Sequence, residues 1–394
     1  MNSAATVVDT LPLLTLAPVG DQRHAWSALL LPTALVGEDP AALARLFGEF
    51  GLGDALGELA AILPIADPAQ LDAALIASLP AARMILLVPL AYCSNPVNDA
   101  TLAQLVGQGF RLMVDGVPDA DQLLAPAISA VASSSCASLA EVGQLTQAHL
   151  ATEVADPTRF ERCQKAGYRW FAGDYPLAMR ALGKQPPGGS RSLLLRLLAM
   201  VTSDADSRDI EALLKQDPAL SYHLLKLVNS VSFALTTTIT SFSYAITLLG
   251  RRQLQRWLQL LLYAQQRHGS DASPLLARAA RRASLMEQLS AACGGSKEEQ
   301  DHAFMTGMFS LLDALFCLPL AKIVTPLHLA DDVESGLLGR AGRLGRLLSI
   351  VEHSEQSATA TLGAELESLS LSRPAYTRAL IGACAWAIQV SHDA

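Results

Sequence analysis

The pattern of apolar and polar positions divides the chain into two unlike halves. In residues 1–182, short apolar runs alternate with helical patterns, which is typical of β/α units around a mostly parallel sheet. The predicted strands are Leu13–Leu16, Trp26–Leu31, Arg83–Pro89, Gly109–Val114, Ala127–Val131, His149–Glu153 and Tyr168–Phe171. The predicted helices are Ala41–Glu49, Ala55–Leu63, Pro68–Ser78, Thr101–Gly107, Leu139–Gln147 and Pro157–Ala166. Periodicity alone leaves open whether the sheet closes into a barrel.

The second half, residues 191–394, shows helical apolar stripes throughout. Between the halves, residues 183–190 read GKQPPGGS, and we predict a linker there because Pro-Pro-Gly-Gly stops regular structure. An ordered loop and a hinge both remain open for this segment. The predicted domains are therefore an α/β domain at 1–182 and an all-helical domain at 191–394.

The sharpest helix punctuation lies between residues 217 and 250. Asp217 suits an N-cap and Pro218 suits the first helical position that follows it. Asn229 and Ser230 end the apolar face of this helix, and Gly250 suits a left-handed C-cap of a later one. The apolar positions Leu224, Leu225 and Val228 share one face and are predicted to be buried.

These residues resemble a known signature. D-P-x-L-S-x-x-L-L-K-L-x-N-S, followed by A-I-x-L-L-G-R-R-x-L, is similar to the signature of the HDOD domain, and the match extends through 303–320. That family is related by fold to metal-dependent HD phosphohydrolases and is regarded as an output or interaction module. The adjacent His-Asp metal ligands of those hydrolases would fall on Ser310 and Leu311. The resemblance therefore implies that the hydrolytic centre is missing.

The first half resembles a second family, the EAL domains, which are (β/α) barrels that hydrolyse cyclic di-GMP. Residues 152–176 resemble the end of that domain, 11–32 its first hairpin and 107–118 the strand that ends in paired aspartates. The order EAL then HDOD also fits that family. Because this half is shorter than the roughly 250 residues of a full barrel, we predict a degenerate or incomplete (β/α) barrel followed by an all-helical HD-related domain.

The chemistry that the EAL resemblance implies depends on carboxylates at the carboxyl ends of strands, where they hold two metal ions. In this register the family's ligand positions fall on Ser27, Pro89, Asp115, Gly116, Thr152 and Ala155. Only Asp115 among them is an acid, and no basic residue occurs at 127–135, where the family has a lysine. The resemblance thus implies no catalytic residue, no metal and no cofactor.

Charge is uneven along the chain. Residues 1–150 hold four arginines, no lysine and 14 acids, so their net charge is 4 − 14 = −10, whereas the remainder has 25 − 23 = +2. An acidic half repels nucleic acid and phosphorylated ligands unless local cations compensate. Three arginine clusters in the second half are predicted to be solvated faces, with a protein-docking surface as the functional alternative: Arg251, Arg252 and Arg256; Arg278, Arg281 and Arg282; Arg340, Arg343 and Arg346.

The remaining features change little. The six cysteines show no metal spacing, so we expect reduced thiols. No apolar run reaches the roughly 18 residues of a membrane span, and MNSAATVVDT lacks the basic start of a signal peptide. We predict a cytoplasmic bacterial protein with no membrane or nucleic-acid partner and with a homodimer possible.

The predicted function follows from these points. We predict no enzyme, but a non-catalytic signalling scaffold that binds other signalling proteins in a pathway linked to cyclic di-GMP, such as motility, biofilm or virulence. Two alternatives stay open: a sensor that binds cyclic di-GMP, and a residual phosphodiesterase.

Overall fold

A barrel is followed by a set of packed helices, as predicted. The barrel is closed by eight strands, so its set of strands is not incomplete. The computed structural model describes residues 11–32, 40–119, 122–137, 147–178, 189–203, 242–264, 273–356 and 359–393, with single positions at 35, 139, 145, 205, 209, 210 and 213. The signature positions Asp217, Pro218, Leu224, Leu225, Val228, Asn229 and Ser230 lie outside these residues, as do 183–188 of the predicted linker.

The barrel closes in sequence order, with β1 antiparallel to both β2 and β8 and the other neighbours parallel. Its strands are β1 Ala17–Gly20, β2 Trp26–Leu30, β3 Ala60–Pro64, β4 Met84–Pro89, β5 Arg111–Asp115, β6 Ala130–Ser133, β7 Leu150–Ala151 and β8 Trp170–Ala172. Side chains alternate between the two faces of a strand. The inward cluster is Val19, Ala28, Ala60, Ile62, Ile85, Leu87, Met113, Ala130, Ala132, Leu150 and Ala172. Five alanines among these eleven positions let a narrow barrel fill its own interior.

Short helices connect the strands. They are α1 Pro40–Phe47, α2 Leu52–Ala55, α3 Ala73–Ser78, α4 Leu90–Cys93, α5 Asp99–Gly107, α6 Pro157–Lys165 and α7 Tyr175–Ala178. Among the described residues, no helix follows β5 or β6 before the next strand. All eight strands are present, and this half is shorter than a full barrel because the segments that connect its strands are short.

Two sequence predictions in this half are wrong. The predicted helix Ala55–Leu63 is instead the end of α2 and the strand β3, because its apolar run fits a buried strand as well as a helix. The predicted strand Leu13–Leu16 pairs with no strand. The backbone of this segment bonds instead to side chains of the second half of the chain. The Leu14 carbonyl accepts a hydrogen bond from Tyr376 Oη at 3.0 Å, and the Leu16 carbonyl accepts one from Arg281 Nη1 at 2.7 Å.

The second half is helical in all its described elements. They are α8 Gly189–Thr202, α9 Phe242–Ala264, α10 Leu276–Ala292, α11 Lys297–Phe309, α12 Leu312–Phe316, α13 Leu320–Val324, α14 Asp331–Gly339, α15 Gly342–Glu355, α16 Thr359–Ser368 and α17 Arg373–Asp393. The helix break predicted at Gly250 is confirmed, since its φ of 72° interrupts α9. At Gly307, α10 and α11 approach so closely that a Cβ would lie 2.6 Å from the Arg282 carbonyl oxygen.

Two further observations bear on the bulk predictions. Cys136 and Cys163 are joined as a disulfide with their Cα atoms 5.0 Å apart, so the expectation of reduced thiols is wrong for this pair. The pairing was missed because 27 residues separate the two cysteines without a recognisable spacing. No single helix in the described chain is long and apolar enough to cross a membrane, although the bent pair Lys297–Phe316 and Leu320–Leu327 passes that test when taken together.

Candidate functional site

The carboxyl ends of the barrel strands bring several of the predicted site positions together. Pro89 ends β4 and is paired in register with Asp115, which ends β5. Both lie two residues after inward-facing positions, so the pleat directs them towards the barrel mouth. Thr152 follows β7 in the same way, and its backbone N–H donates to the Ser133 carbonyl at 2.9 Å.

Other predicted positions are placed differently. Gly116 directly follows Asp115, and its N–H donates to the Ala132 carbonyl at 2.8 Å. Ala155 is exposed in the loop before α6. Ser27 lies near the amino end of β2 and next to the inward-facing Ala28, so it faces outward at the opposite end of the barrel. The EAL-like register therefore does not bring Ser27 to the mouth.

Asp115 is the acid among the predicted positions at this mouth. Desolvation by burial raises its pKa, and its side chain forms no hydrogen bond or ion pair within the described chain. In the described part of the chain no group of three or more His, Cys, Asp or Glu side chains is arranged to hold a metal ion. A two-metal centre needs several such ligands, so the described donor set does not fit one, and no reaction step is derived through metals.

Arg159 is a candidate functional residue that sequence reasoning missed. It lies in the first turn of α6, where Asp156 caps the helix by accepting the Arg159 backbone N–H at 2.8 Å. Its Nη2 donates to the Ser134 carbonyl, directly after β6, and its buried Nε has no partner. The N-cap and the Pro157 that follows it predict where α6 begins, but only the fold shows that this turn reaches the barrel mouth.

A buried ion pair, Arg282–Glu355, lies beside the two positions that resemble an HD metal site, Ser310 and Leu311. Ser310 Oγ donates to the Gly307 carbonyl at 2.7 Å and accepts from Arg282 Nη1 at 3.0 Å. Leu311 is core. Arg282 also binds Glu355 through two hydrogen bonds, Nε to Oε1 at 3.0 Å and Nη2 to Oε2 at 2.6 Å. A guanidinium thus lies beside the position that the resemblance assigns to metal ligands.

Arg278, which lies next to this ion pair, connects the helical half to the barrel. Arg278 Nε lies 3.8 Å from Glu355 Oε2, and its Nη2 lies 2.8 Å from Oδ1 of Asp174, just after β8. Burial by itself would raise the pKa of Glu355, but the attraction of Arg282 and Arg278 outweighs it and holds that pKa at about 2. The prediction of a solvated face is wrong for Arg278, Arg281 and Arg282, because all three are buried.

Comparison with known proteins agrees with the order of the two domains. Residues 191–368 match the HDOD domain family, so this part of the chain is an HDOD domain. A closed barrel precedes it, so the predicted order of a barrel followed by an HDOD domain is confirmed.

Two curated relatives and one solved structure are similar to this chain. Cyclic di-GMP phosphodiesterase CdgJ of Vibrio cholerae is 32% identical over 209 residues, which cover 53% of this chain and 48% of CdgJ. YuxH of Bacillus subtilis, an uncharacterized protein, is 26% identical over 224 residues, covering 55% of this chain and 54% of YuxH. The chain thus spans about half the length of these relatives. The PaMucR phosphodiesterase in complex with c-di-GMP has 16% identity and a TM-score of 0.31, covering 41% of this chain and 93% of that one.

These relatives correct one prediction. The sequence-based prediction that the protein is not an enzyme is contradicted by its similarity to CdgJ, a phosphodiesterase. The prediction rested on substitutions at individual ligand positions, and one of them, Ser27, is not at the mouth of the barrel.

Proposed function

We propose that this protein acts in cyclic di-GMP signalling and that the carboxyl end of its barrel binds the nucleotide. The observation that supports this most directly is Arg159, whose guanidinium lies against the loop after β6 with Nε unpaired. A guanidinium presents several N–H donors in a fork that matches phosphate oxygens. Arg159 is therefore the local cation that a phosphorylated ligand needs in an otherwise acidic half.

Neighbouring groups extend this candidate site. The Ser133 and Ser135 hydroxyls lie 2.9 Å apart just after β6, and the Ser135 N–H donates to Ser133 Oγ at 3.1 Å. Asp115 ends the adjacent strand β5. Hydroxyls and a carboxylate can bind the ribose and the guanine N–H edge, while Arg159 binds a phosphate.

Calorimetric titration with cyclic di-GMP tests the binding proposal. We expect binding by the wild-type chain and at least a tenfold weaker dissociation constant for Arg159→Gln. Arg162→Gln is the matched control, because Arg162 is an exposed arginine one turn further along α6. The proposal is wrong if the wild-type chain gives no binding heat, or if both variants bind equally well.

Hydrolysis of cyclic di-GMP is a second candidate function, favoured by the similarity to CdgJ. Desolvation raises the pKa of Asp115, and a general base works best when its pKa approaches the working pH. Asp115 would then take the proton of the attacking water while the water oxygen bonds to phosphorus. The bond from phosphorus to the ribose oxygen would break, and that oxygen would leave as a hydroxyl with a proton from solvent.

Nucleotide turnover, followed by chromatography with Mg²⁺ or Mn²⁺ present, tests this second function. We expect measurable turnover by the wild-type chain and loss of at least tenfold in Asp115→Asn. Asp119→Asn, an exposed acid four residues further on, should leave turnover unchanged. Equal turnover by Asp115→Asn and the wild type would rule out Asp115 as the base, and binding without turnover would leave the sensor function alone.

A further inference from the structure

The HDOD domain contains a polar cleft that lies apart from the barrel mouth. It has a volume of about 400 Å³ and is bounded mainly by α8, α9 and α11. On α9 it is lined by Arg252, Gln255, Arg256 and Gln259, whose spacing places all four on one helix face. Across it, α11 contributes Glu298, Asp301 and His302. Two polar helix faces thus meet where packed helices usually present apolar ones; we call this the α9–α11 cleft.

Ion pairs hold the arginines of the cleft in place. Arg256 Nη2 lies 2.6 Å from Glu287 Oε1 and 2.9 Å from Asp301 Oδ1. Its Cζ atom lies 4.2 Å from the ring centroid of Phe304, so a guanidinium is layered on an aromatic ring in the cleft wall. Arg252 pairs with the same Asp301 oxygen and keeps 39% of its side chain exposed. Because a guanidinium has five N–H donors, Arg252 keeps donors for a further acceptor at the rim.

Gln259, at the inner wall of the cleft, has a buried side-chain oxygen without a hydrogen-bond donor. The residue is 1% exposed, and its Oε1 accepts no hydrogen bond. A buried polar atom without a partner destabilises the folded chain, because its lost hydrogen bonds to water are not replaced. Since native proteins satisfy nearly all such atoms, a donor from outside the protein is the simplest way to remove this cost.

We propose that the α9–α11 cleft binds a purine nucleoside monophosphate. The base places an N–H donor on Gln259 Oε1 and stacks on the layered Arg256–Phe304 wall, and the phosphate accepts from Arg252 at the rim. The cleft volume of about 400 Å³ lies at the low end of the roughly 300–1,000 Å³ of small-molecule pockets, which favours a single nucleotide. This site is separate from the proposed cyclic di-GMP site and does not depend on it.

The first test uses Gln259→Met, which keeps the length of the side chain and removes its amide. Calorimetry with GMP should show a dissociation constant at least tenfold weaker than that of the wild type. The ligand-free variant should melt at the same or a higher temperature, because an unpaired buried polar group is lost. A merely structural glutamine would give the opposite sign, so a lower melting temperature with unchanged GMP binding would overturn the proposal.

The second test separates the phosphate from the base. Arg252→Gln should weaken GMP binding at least tenfold and leave guanosine binding unchanged, while inorganic phosphate alone should bind weakly to the wild type. Arg340→Gln is the matched control, because Arg340 keeps 38% of its side chain exposed and pairs with Glu352 at 2.8 Å. No GMP binding at millimolar concentration, or equal losses in Arg252→Gln and Arg340→Gln, would refute the site.

Discussion

Two carboxylates, Asp115 at the barrel mouth and Glu355 in the helical half, have pKa values that are shifted in opposite directions. Desolvation raises the pKa of Asp115, which has no cationic partner in the described chain. Glu355 is more deeply buried, yet its pKa falls to about 2 because Arg282 and Arg278 outweigh the desolvation. The partner, and not the depth, decides which charge state the fold favours.

The charge of Glu355 is used in an internal ion pair, whereas the carboxylate of Asp115 is available to a ligand. Both carboxylate oxygens of Glu355 accept hydrogen bonds from Arg282, so this side chain links α15 to α10. Asp115 meets solvent at the end of β5 with its acceptors unused. A carboxylate that the fold desolvates without pairing it is available to a ligand.

The largest expected effect comes from breaking the buried pair. Arg282→Met leaves Glu355 buried opposite an apolar side chain, and removal of one partner of a buried ion pair costs about 3–5 kcal/mol. Urea unfolding should show this loss. The double variant Arg282→Met/Glu355→Leu should regain much of it, because neither charge then remains unpaired.

A surface pair supplies the matched control for that experiment. Arg45 pairs with Glu49 at 2.9 Å on α1 with 40% of its side chain exposed. Arg45→Met should cost under about 1 kcal/mol, as exposed pairs do. A loss for Arg282→Met no larger than that for Arg45→Met would show that the buried pair adds little to stability.

An intermediate effect is expected from pH. The pKa of Glu355 is lowered in the folded chain to about 2 from the ordinary value of 4.5, so its contribution is present above about pH 4.5 and is lost as the pH falls towards 2. Glu355→Gln should therefore flatten the decline of the unfolding free energy in this interval. Parallel acid-unfolding curves for variant and wild type would contradict the assigned pKa.

The smallest effect is expected at the mouth. The folded pKa of Asp115 is raised, so the stability linked to its protonated form is present at low pH and is lost as the pH rises through that pKa. Asp115→Asn removes this loss, and its melting temperature at neutral pH should be equal to or slightly above that of the wild type. A lower melting temperature would reveal a stabilising partner of Asp115.

The strand order could be predicted better than the strand bounds. Six of the eight strands correspond to predicted apolar runs; the predicted strand Leu13–Leu16 stops short of β1, and β3 was read as helix. Ala60–Pro64 is a run of Ala, Ile and Leu, which suits either structure, and tertiary pairing with β2 and β4 decides the outcome.

The sequence could predict site residues that lie at the ends of strands, but not those that depend on contacts between distant segments. Asp115 could be found because residues 107–118 resemble the EAL strand that ends in paired aspartates. Arg159 and the Arg282–Glu355 pair could not, because each depends on contacts between distant segments: 25 residues separate Arg159 from Ser134, and 73 separate Arg282 from Glu355. No periodicity along the chain reports such contacts.

The segment that leads into β1 has a consequence for how the chain reaches its fold. The carbonyls of Leu11, Leu14 and Leu16 are bound by Arg373, Tyr376 and Arg281, which lie 362, 362 and 265 residues later. During synthesis from the amino terminus, the Leu16 carbonyl has no such partner until α10 emerges, and the Leu11 and Leu14 carbonyls have none until α17 emerges. Contacts of such long sequence separation slow folding and leave apolar surface exposed meanwhile. The beginning of the chain is therefore the last part to be secured, and the nascent barrel depends on the completion of the helical half.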